Sequence, residues 1–142
     1  YEVAGSFSGR YNFNPNNDLR FAINAGSGIG RYVGLGIASD AMLDGNGDIE
    51  GLDGVAGYIG FHHNFSTQVR GNIYYSASQY DNDAALTGGA VTESVSSISA
   101  NLFYSPLPKL DVGAELRFAD RELESGVDGS LTRLHFLARY SF

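Results

Sequence analysis

The sequence predicts an all-β protein, an antiparallel transmembrane β-barrel. Three observations predict it. Apolar and polar residues alternate with period 2 in long runs, the apolar faces of those runs carry no charge, and the connections between them alternate between short and long.

Seven strands follow in order. Residues 2–13 set Val3, Gly5, Phe7, Gly9, Tyr11 and Phe13 against Glu2, Ala4, Ser6, Ser8, Arg10 and Asn12. This run is longer than the roughly 5–6 residues of an average globular strand and fits the roughly 9–11 of a tilted strand crossing a bilayer. Residues 18–29 place Leu19, Phe21, Ile23, Ala25 and Ile29 opposite Asp18, Arg20, Asn24, Gly26 and Gly28. Residues 54–63 form a third strand whose phase is less clear, with Val55, Gly57, Ile59 and Phe61 on one side and Ala56, Tyr58, Gly60 and His62 on the other. Residues 68–77, 97–104, 110–119 and 133–142 repeat the alternation, the last with Leu134, Phe136, Ala138, Tyr140 and Phe142 on its apolar face.

Outside the third strand, no apolar-face position is charged. The opposite faces carry Glu2, Arg10, Asp18, Arg20, Arg70, Asp111, Glu115, Arg117, Arg133 and Arg139. A charge facing lipid at the bilayer midplane costs about 2–4 kcal/mol, which accounts for the one-sided distribution. Tyr11, Phe13, Tyr104, Tyr140 and Phe142 sit at strand ends, where an aromatic girdle would meet the interface.

The connections at residues 14–17, 62–67 and 105–109 are short. Those at 31–53, 79–93 and 120–130 are long, polar and acidic. Short turns on one side and long loops on the other is the layout of an outer-membrane barrel. No helix and no domain boundary is expected, so residues 1–142 read as one barrel domain or the C-terminal portion of one. Seven strands are an odd number, whereas single-chain bacterial barrels have an even one. The expectation is a fragment of a larger barrel; an eighth strand within 31–53, or a barrel shared between chains, are the alternatives.

Composition narrows the function. No run is long enough for a spanning helix. The absence of cysteine excludes disulfides, thiolate metal sites and cysteine catalysis. A net charge of -7 argues against nucleic acid as the main partner. The basic residues are eight arginines and one lysine, which points to geometric selection for the guanidinium fork.

The candidate site is the polar face. Arg10, Arg20, Arg70, Arg117, Arg133 and Arg139 lie on it, and Arg121 continues the parity of Arg117. Guanidinium groups suit carboxylate and phosphate, and a pore lined by them favours anions. The competing reading pairs them with Glu115, Asp111 and Asp18 as barrel filling.

Other motifs carry less. Residues 44–50, DGNGDIE, begin like a calcium loop, but Ile49 stands where glycine is expected and Val55 where a glutamate is. The loop therefore reads as a solvated surface segment. His62, His63 and His135 lack the spacing of metal ligands. Residues 26–30, GSGIG, precede no expected helix and mark a bend or a bulge where a strand leaves the membrane. No nucleophile with a base stands out, so no enzyme, metal or cofactor is expected.

Asp18-Leu-Arg-Phe, Gly28-Ile-Gly-Arg-Tyr32 and the acidic loop resemble the C-terminal half of DcaP-like porins. So do Asn101-Leu-Phe-Tyr-Ser-Pro106, Leu110-Asp-Val-Gly-Ala-Glu115, Arg121-Glu122 and residues 131–142, LTRLHFLARYSF. The resemblance implies a sixteen-stranded, trimeric outer-membrane porin of Gram-negative bacteria that passes dicarboxylates and other small anions through an arginine-lined constriction. The family's N-terminal half, with its periplasmic helical segment, has no counterpart in these residues.

The expected function is passive diffusion of small anions, with Glu115 and the seven arginines lining the pore. The expected partners are outer-membrane lipid and lipopolysaccharide, the remaining barrel strands or copies of the chain in a trimer, and the barrel-assembly machinery. The last would read the terminal strand ending in Phe142. The main alternative is a small filled eight-strand barrel with a structural or adhesive role. A soluble lipocalin-like barrel would need polar outward faces, which the arginine-rich composition fits poorly.

Overall fold

The computed structural model describes residues 2–33 and 36–142. Seven long strands form one antiparallel sheet: β1 (Ala4–Asn14), β2 (Asn17–Ser27), β5 (Asp53–Asn64), β6 (Val69–Asp81), β7 (Thr92–Leu107), β8 (Leu110–Leu123) and β9 (Asp128–Tyr140). Their order in the sheet is that of the chain, each strand pairing with its sequence neighbours. A short hairpin, β3 (Ala41–Leu43) and β4 (Ile49–Gly51), forms a separate two-stranded sheet. The sheet is open, with β1 and β9 at its edges, as part of a larger barrel would be.

All seven expected strands are present, and register settles the phase of the third. Ile23 pairs with Gly57 and Phe21 with Ile59, so Val55, Gly57, Ile59 and Phe61 share the apolar face. That face has no protein behind it. Ile23, Ile59, Ile73, Ile98, Leu102 and Leu134 are each about half exposed, and Phe136 is 79% exposed. Among the described residues the buried apolar side chains are Ile29, Leu52, Ala56 and Tyr80, too few to hold a water-soluble fold of this size. The sheet is built to meet a nonpolar solvent.

The short turns come out shorter than expected. Residues 15–16 and 108–109 are two-residue connections, and residues 65–68 link β5 to β6. At this end the apolar face carries the expected aromatics. Tyr11 packs edge-on to Phe13 with centroids 5.0 Å apart, and Tyr140 packs on Phe142 at 5.5 Å.

The long connections depart from expectation in three ways. First, two single-turn helices appear where no helix was expected: α1 (Gly30–Val33) and α2 (Ala84–Thr87). α2 is capped by Asp83, whose side chain accepts from the Ala85 amide at 2.9 Å. α1 is a single turn and offers no developed N-terminus. Second, the segment 31–53 carries the β3–β4 hairpin, which pairs with no strand of the wall, so among the described residues the alternative of an eighth wall strand there does not hold. Third, β6, β7, β8 and β9 run on past the apolar band. The segment 120–130 is therefore mostly strand, closed by a four-residue turn at 124–127. The alternation fades there because both faces of the extension carry polar side chains: Asp120 and Glu122 lie on the side of Phe118, and Arg121 on the side of Arg117.

The bend at residues 26–30 is real. Gly26 and Gly28 have φ of 147° and 72°, and a Cβ on Gly26 would lie 2.4 Å from the Ala4 Cα. Beyond the bend, Ile29 and Leu52 are buried, the Gly28 amide donates to the Leu52 carbonyl at 2.9 Å, and Tyr80, paired with Gly54, is buried as well. Thr92, 1% exposed, donates from its hydroxyl to the Ile37 carbonyl at 2.7 Å. The first long connection is thus folded back onto the sheet.

Candidate functional site

Directly paired residues of a sheet share a face. Following the pairs across the sheet gives one continuous row: Arg10, Arg20, Gly60, Tyr74, Ser99, Arg117, Arg133. The next row toward the short turns reads Asn12, Asp18, His62, Asn72, Asn101, Glu115, His135. Arg70, Asp111 and Arg139 lie closer to the turns, with Asp111 opposite Arg139. Arg121 lies toward the long connections, opposite Val95 and Gly129. The structure thus puts every expected arginine, and Glu115, on one face.

Five of these arginines meet a carboxylate. Asp18, 3% exposed, accepts from Arg10 at 2.8 Å and from Arg20 Nε at 2.7 Å. Asp111 lies 3.2 Å from Arg70 and 2.5 Å from Arg139, and also accepts from the Ser105 hydroxyl. Arg117 lies 3.2 Å from Glu115. Arg117 also donates to Ser99 Oγ at 2.9 Å and to the Tyr74 hydroxyl at 2.7 Å, and that hydroxyl donates to Glu115 at 2.8 Å. Arg121 Nε donates to Thr92 Oγ1 at 2.9 Å. Arg133 Nε is enclosed without a hydrogen-bond partner, and among the described residues neither Arg121 nor Arg133 is ion-paired.

Two of these pairings follow from parity alone, since Asp18 and Arg20, and Glu115 and Arg117, are i, i+2 neighbours on one face. Asp111 with Arg139 needs the register. Asn72 and Tyr74 share the parity of Arg70 within one strand, which is the signal that places them in this polar network; His62 and Asn101 join it through the register of β5 and β7 with their neighbours.

Gly60 interrupts the arginine row and leaves a groove of about 420 Å³ bordered by Arg20, Tyr58, His62, Asn72, Tyr74 and Asn101. A second groove, about 490 Å³, runs between Tyr32, Val33 and Ile37 of the first connection and Arg117 and Arg133 on the sheet. The connection therefore stands over the same face as the arginine row.

In the acidic hairpin, the Asp44 carboxylate is satisfied by its neighbours. Asp44 Oδ1 accepts from the Asn46 and Asp48 amides, both at 2.8 Å, and Oδ2 accepts from Asn46 Nδ2 at 3.2 Å. The Asp48 and Asn46 amides hold the Asp44 carboxyl below the usual aspartate range. Asp40 is likewise held low, by the Arg31 amide first and its guanidinium second. Among the described residues no three His, Asp or Glu side chains converge as metal ligands. The three histidines separate: His62 is on the polar face, His63 on the apolar face against Asn17 and Phe65, and His135 opposite Glu115.

The comparisons agree with this architecture. A family model for the DcaP outer membrane protein matches residues 4–142. The crystal structure of the outer membrane channel DcaP of Acinetobacter baumannii superposes with a TM-score of 0.90 at 23% identity, over 99% of this chain and 41% of that one. The chain thus spans about two-fifths of the length of that channel. No curated protein sequence matches. A match over nearly the whole chain, on a sheet with one face uncharged across its apolar band and the other bearing arginines, places it in the outer membrane: the chain belongs to the DcaP outer membrane protein family.

Proposed function

We propose that the chain forms part of the wall of an outer-membrane diffusion channel that prefers small anions, dicarboxylates among them. The observation that carries this is the charge of the polar face. Seven arginines (10, 20, 70, 117, 121, 133 and 139) face three carboxylates (Asp18, Asp111 and Glu115) within the paired strands. The ion pairs anchor the guanidinium groups, and the excess positive charge remains. In a confined aqueous passage such an excess raises the local concentration of anions. No covalent chemistry is involved. The remaining strands of the barrel, or copies of the chain in a trimer, would complete the passage, and the terminal strand with Phe142 would serve assembly.

The pairings also favour the second reading, a filled barrel with a structural role. Planar-bilayer measurements separate the two. The channel reading expects conductance with a reversal potential of anion sign across a salt gradient, shifted toward neutrality by Arg133→Ala or Arg121→Ala. Absence of conductance would favour the filled barrel. Cation preference would refute the anion reading.

A further inference from the structure

The apolar face is not smooth. One row across it, followed pair by pair, reads Phe7, Ile23, Gly57, Ala77, Ser96, Asp120. The neighbouring row toward the short turns reads Phe21, Ile59, Tyr75, Ile98, Phe118. The first row is small in its middle, where the second is bulky. The result is a groove of about 570 Å³ on the outward side, floored by Gly57, Ala77 and Ser96. Phe21 and Ile23 close it at β2, Tyr75 walls it toward the short turns, and Val55 and Gln79 rim it toward the long connections.

Strand packing explains one part of the floor. A Cβ on Gly57 would lie 2.7 Å from the Ala22 carbonyl oxygen, so the close approach of β2 and β5 calls for glycine there. It does not explain Ala77. That residue is exposed, and Tyr75 and Gln79 beside it on the same strand show that this face takes large side chains.

Polarity along the row sets the chemistry of the occupant. Strands of outer-membrane barrels tilt by about 35–45° and lie about 4.8 Å apart, so a row drawn square across them climbs roughly 3 Å per strand. From Ile23 on β2 to Asp120 on β8 the climb is roughly 12 Å, more than the roughly 5–8 Å depth of one headgroup layer. Over that distance the side chains change from hydrocarbon at Phe7 and Ile23 to hydroxyl and carboxylate at Ser96 and Asp120. The next row toward the long connections adds Gln79, Ser94 and Glu122. The groove therefore crosses from the acyl-chain region into the headgroups. It does so at the end of the long connections, which is the outer leaflet.

An occupant of this groove must be apolar at one end and polar at the other. A membrane lipid has that polarity built in, and the groove is continuous with the face that membrane hydrocarbon covers. Hydroxyl and amide side chains at the polar end offer neutral donors and acceptors suited to a sugar.

We propose that the groove seats an acyl chain of lipopolysaccharide. The tail lies along Gly57 and Ala77 toward Ile23, and the glycolipid headgroup meets Ser96, Ser94 and Gln79. This site depends on the outer-membrane placement alone and stands whether or not the wall conducts anions.

The test uses the full-length protein extracted from outer membranes in mild detergent, with retained lipid identified and counted by mass spectrometry. Wild-type protein should retain lipopolysaccharide. Ala77→Phe fills the groove and displaces about two methylenes of chain, so retention should fall about tenfold. Ala100→Phe, on the same face between Ile73 and Leu116 and outside the groove, should retain it as wild type does. Equal retention in Ala77→Phe, phospholipid in place of lipopolysaccharide, or wild-type protein without either overturns the proposal. So does an Ala77→Phe protein that keeps its lipid but loses contacts between copies of the chain, which would make the groove a protein interface. Should Ala77→Phe fail to assemble, wild-type protein decides, irradiated in membranes with lipopolysaccharide carrying a photoactivatable acyl chain. Crosslinks should map to β5, β6 and β7 at Gly57, Ala77 and Ser96; crosslinks confined to the rest of the apolar face overturn the site.

Discussion

Arg117 and Arg133 stand directly opposite each other on β8 and β9, and among the described residues only Arg117 of the two is paired with a carboxylate. Like charges in register oppose strand pairing by a few tenths of a kcal/mol to about 1 kcal/mol. Arg133 thus weakens the sheet it belongs to. Replacing it by glutamine should leave unfolding stability in lipid vesicles unchanged, or raise it by up to about 1 kcal/mol. The same change should lower the chloride preference of the reconstituted protein. A clear loss of stability would show that Arg133 is structural filling.

Asp18 should behave in the opposite way. Arg10 and Arg20 are also in register, and the nearly buried Asp18 lies between them. Asp18→Asn leaves the two guanidinium groups facing each other. Removing one partner of a fully buried pair costs about 3–5 kcal/mol, but both arginine side chains here are half exposed, so about 1–3 kcal/mol is expected. Urea unfolding should show that loss, while anion preference increases because a negative charge has gone from the polar face.

The two faces should respond differently to the same substitution. Ile59 sits on the apolar face between Phe21 and Tyr75. Ile59→Arg should cost about 2–4 kcal/mol of folding free energy in a bilayer if it lies near the midplane. Ser97→Arg, on the polar face between Ser76 and Ala119, should cost far less. Equal costs for the two would contradict the assignment of faces.

The β3–β4 hairpin should loosen in acid. The Asp44 carboxyl is held below the ordinary aspartate range by the Asp48 and Asn46 amides. A pKa lowered by folding means that the stabilisation is complete above the ordinary range and is lost as pH falls through the lowered value. Amide exchange at Asn46 and Asp48 should accelerate there while β5 and β6 stay protected. Asp44→Asn keeps a side-chain acceptor without a titrating charge, so its exchange should lack that acid-dependent step.

Much of this was legible because lipid enforces the pattern. A run such as Leu110, Val112, Ala114, Leu116 and Phe118 has no reason to avoid every charge unless its whole face meets hydrocarbon. Where that solvent ends, so does the signal. Asp120 and Glu122 continue the strand beyond the apolar band, where both faces are polar, and alternation no longer marks a strand. The hairpin and the two single-turn helices are too short to show a period. The sharing of Asp18 was half readable, since Arg20 is two residues away on the same face. The pairing of Asp111 with Arg139 depends on the register of β8 against β9, which no local pattern encodes.

The first connection is pinned where it crosses the sheet. Ile29 and Leu52 are buried, and the Thr92 hydroxyl holds the Ile37 carbonyl. A segment tied down at several separate points cannot swing aside one bond at a time. In electrical terms, if the proposed passage runs beneath it, that passage should behave as a fixed resistor: single-channel current should be ohmic and quiet at low voltage, without the rapid flicker of a swinging gate. Cutting the tether with Thr92→Val should introduce that noise.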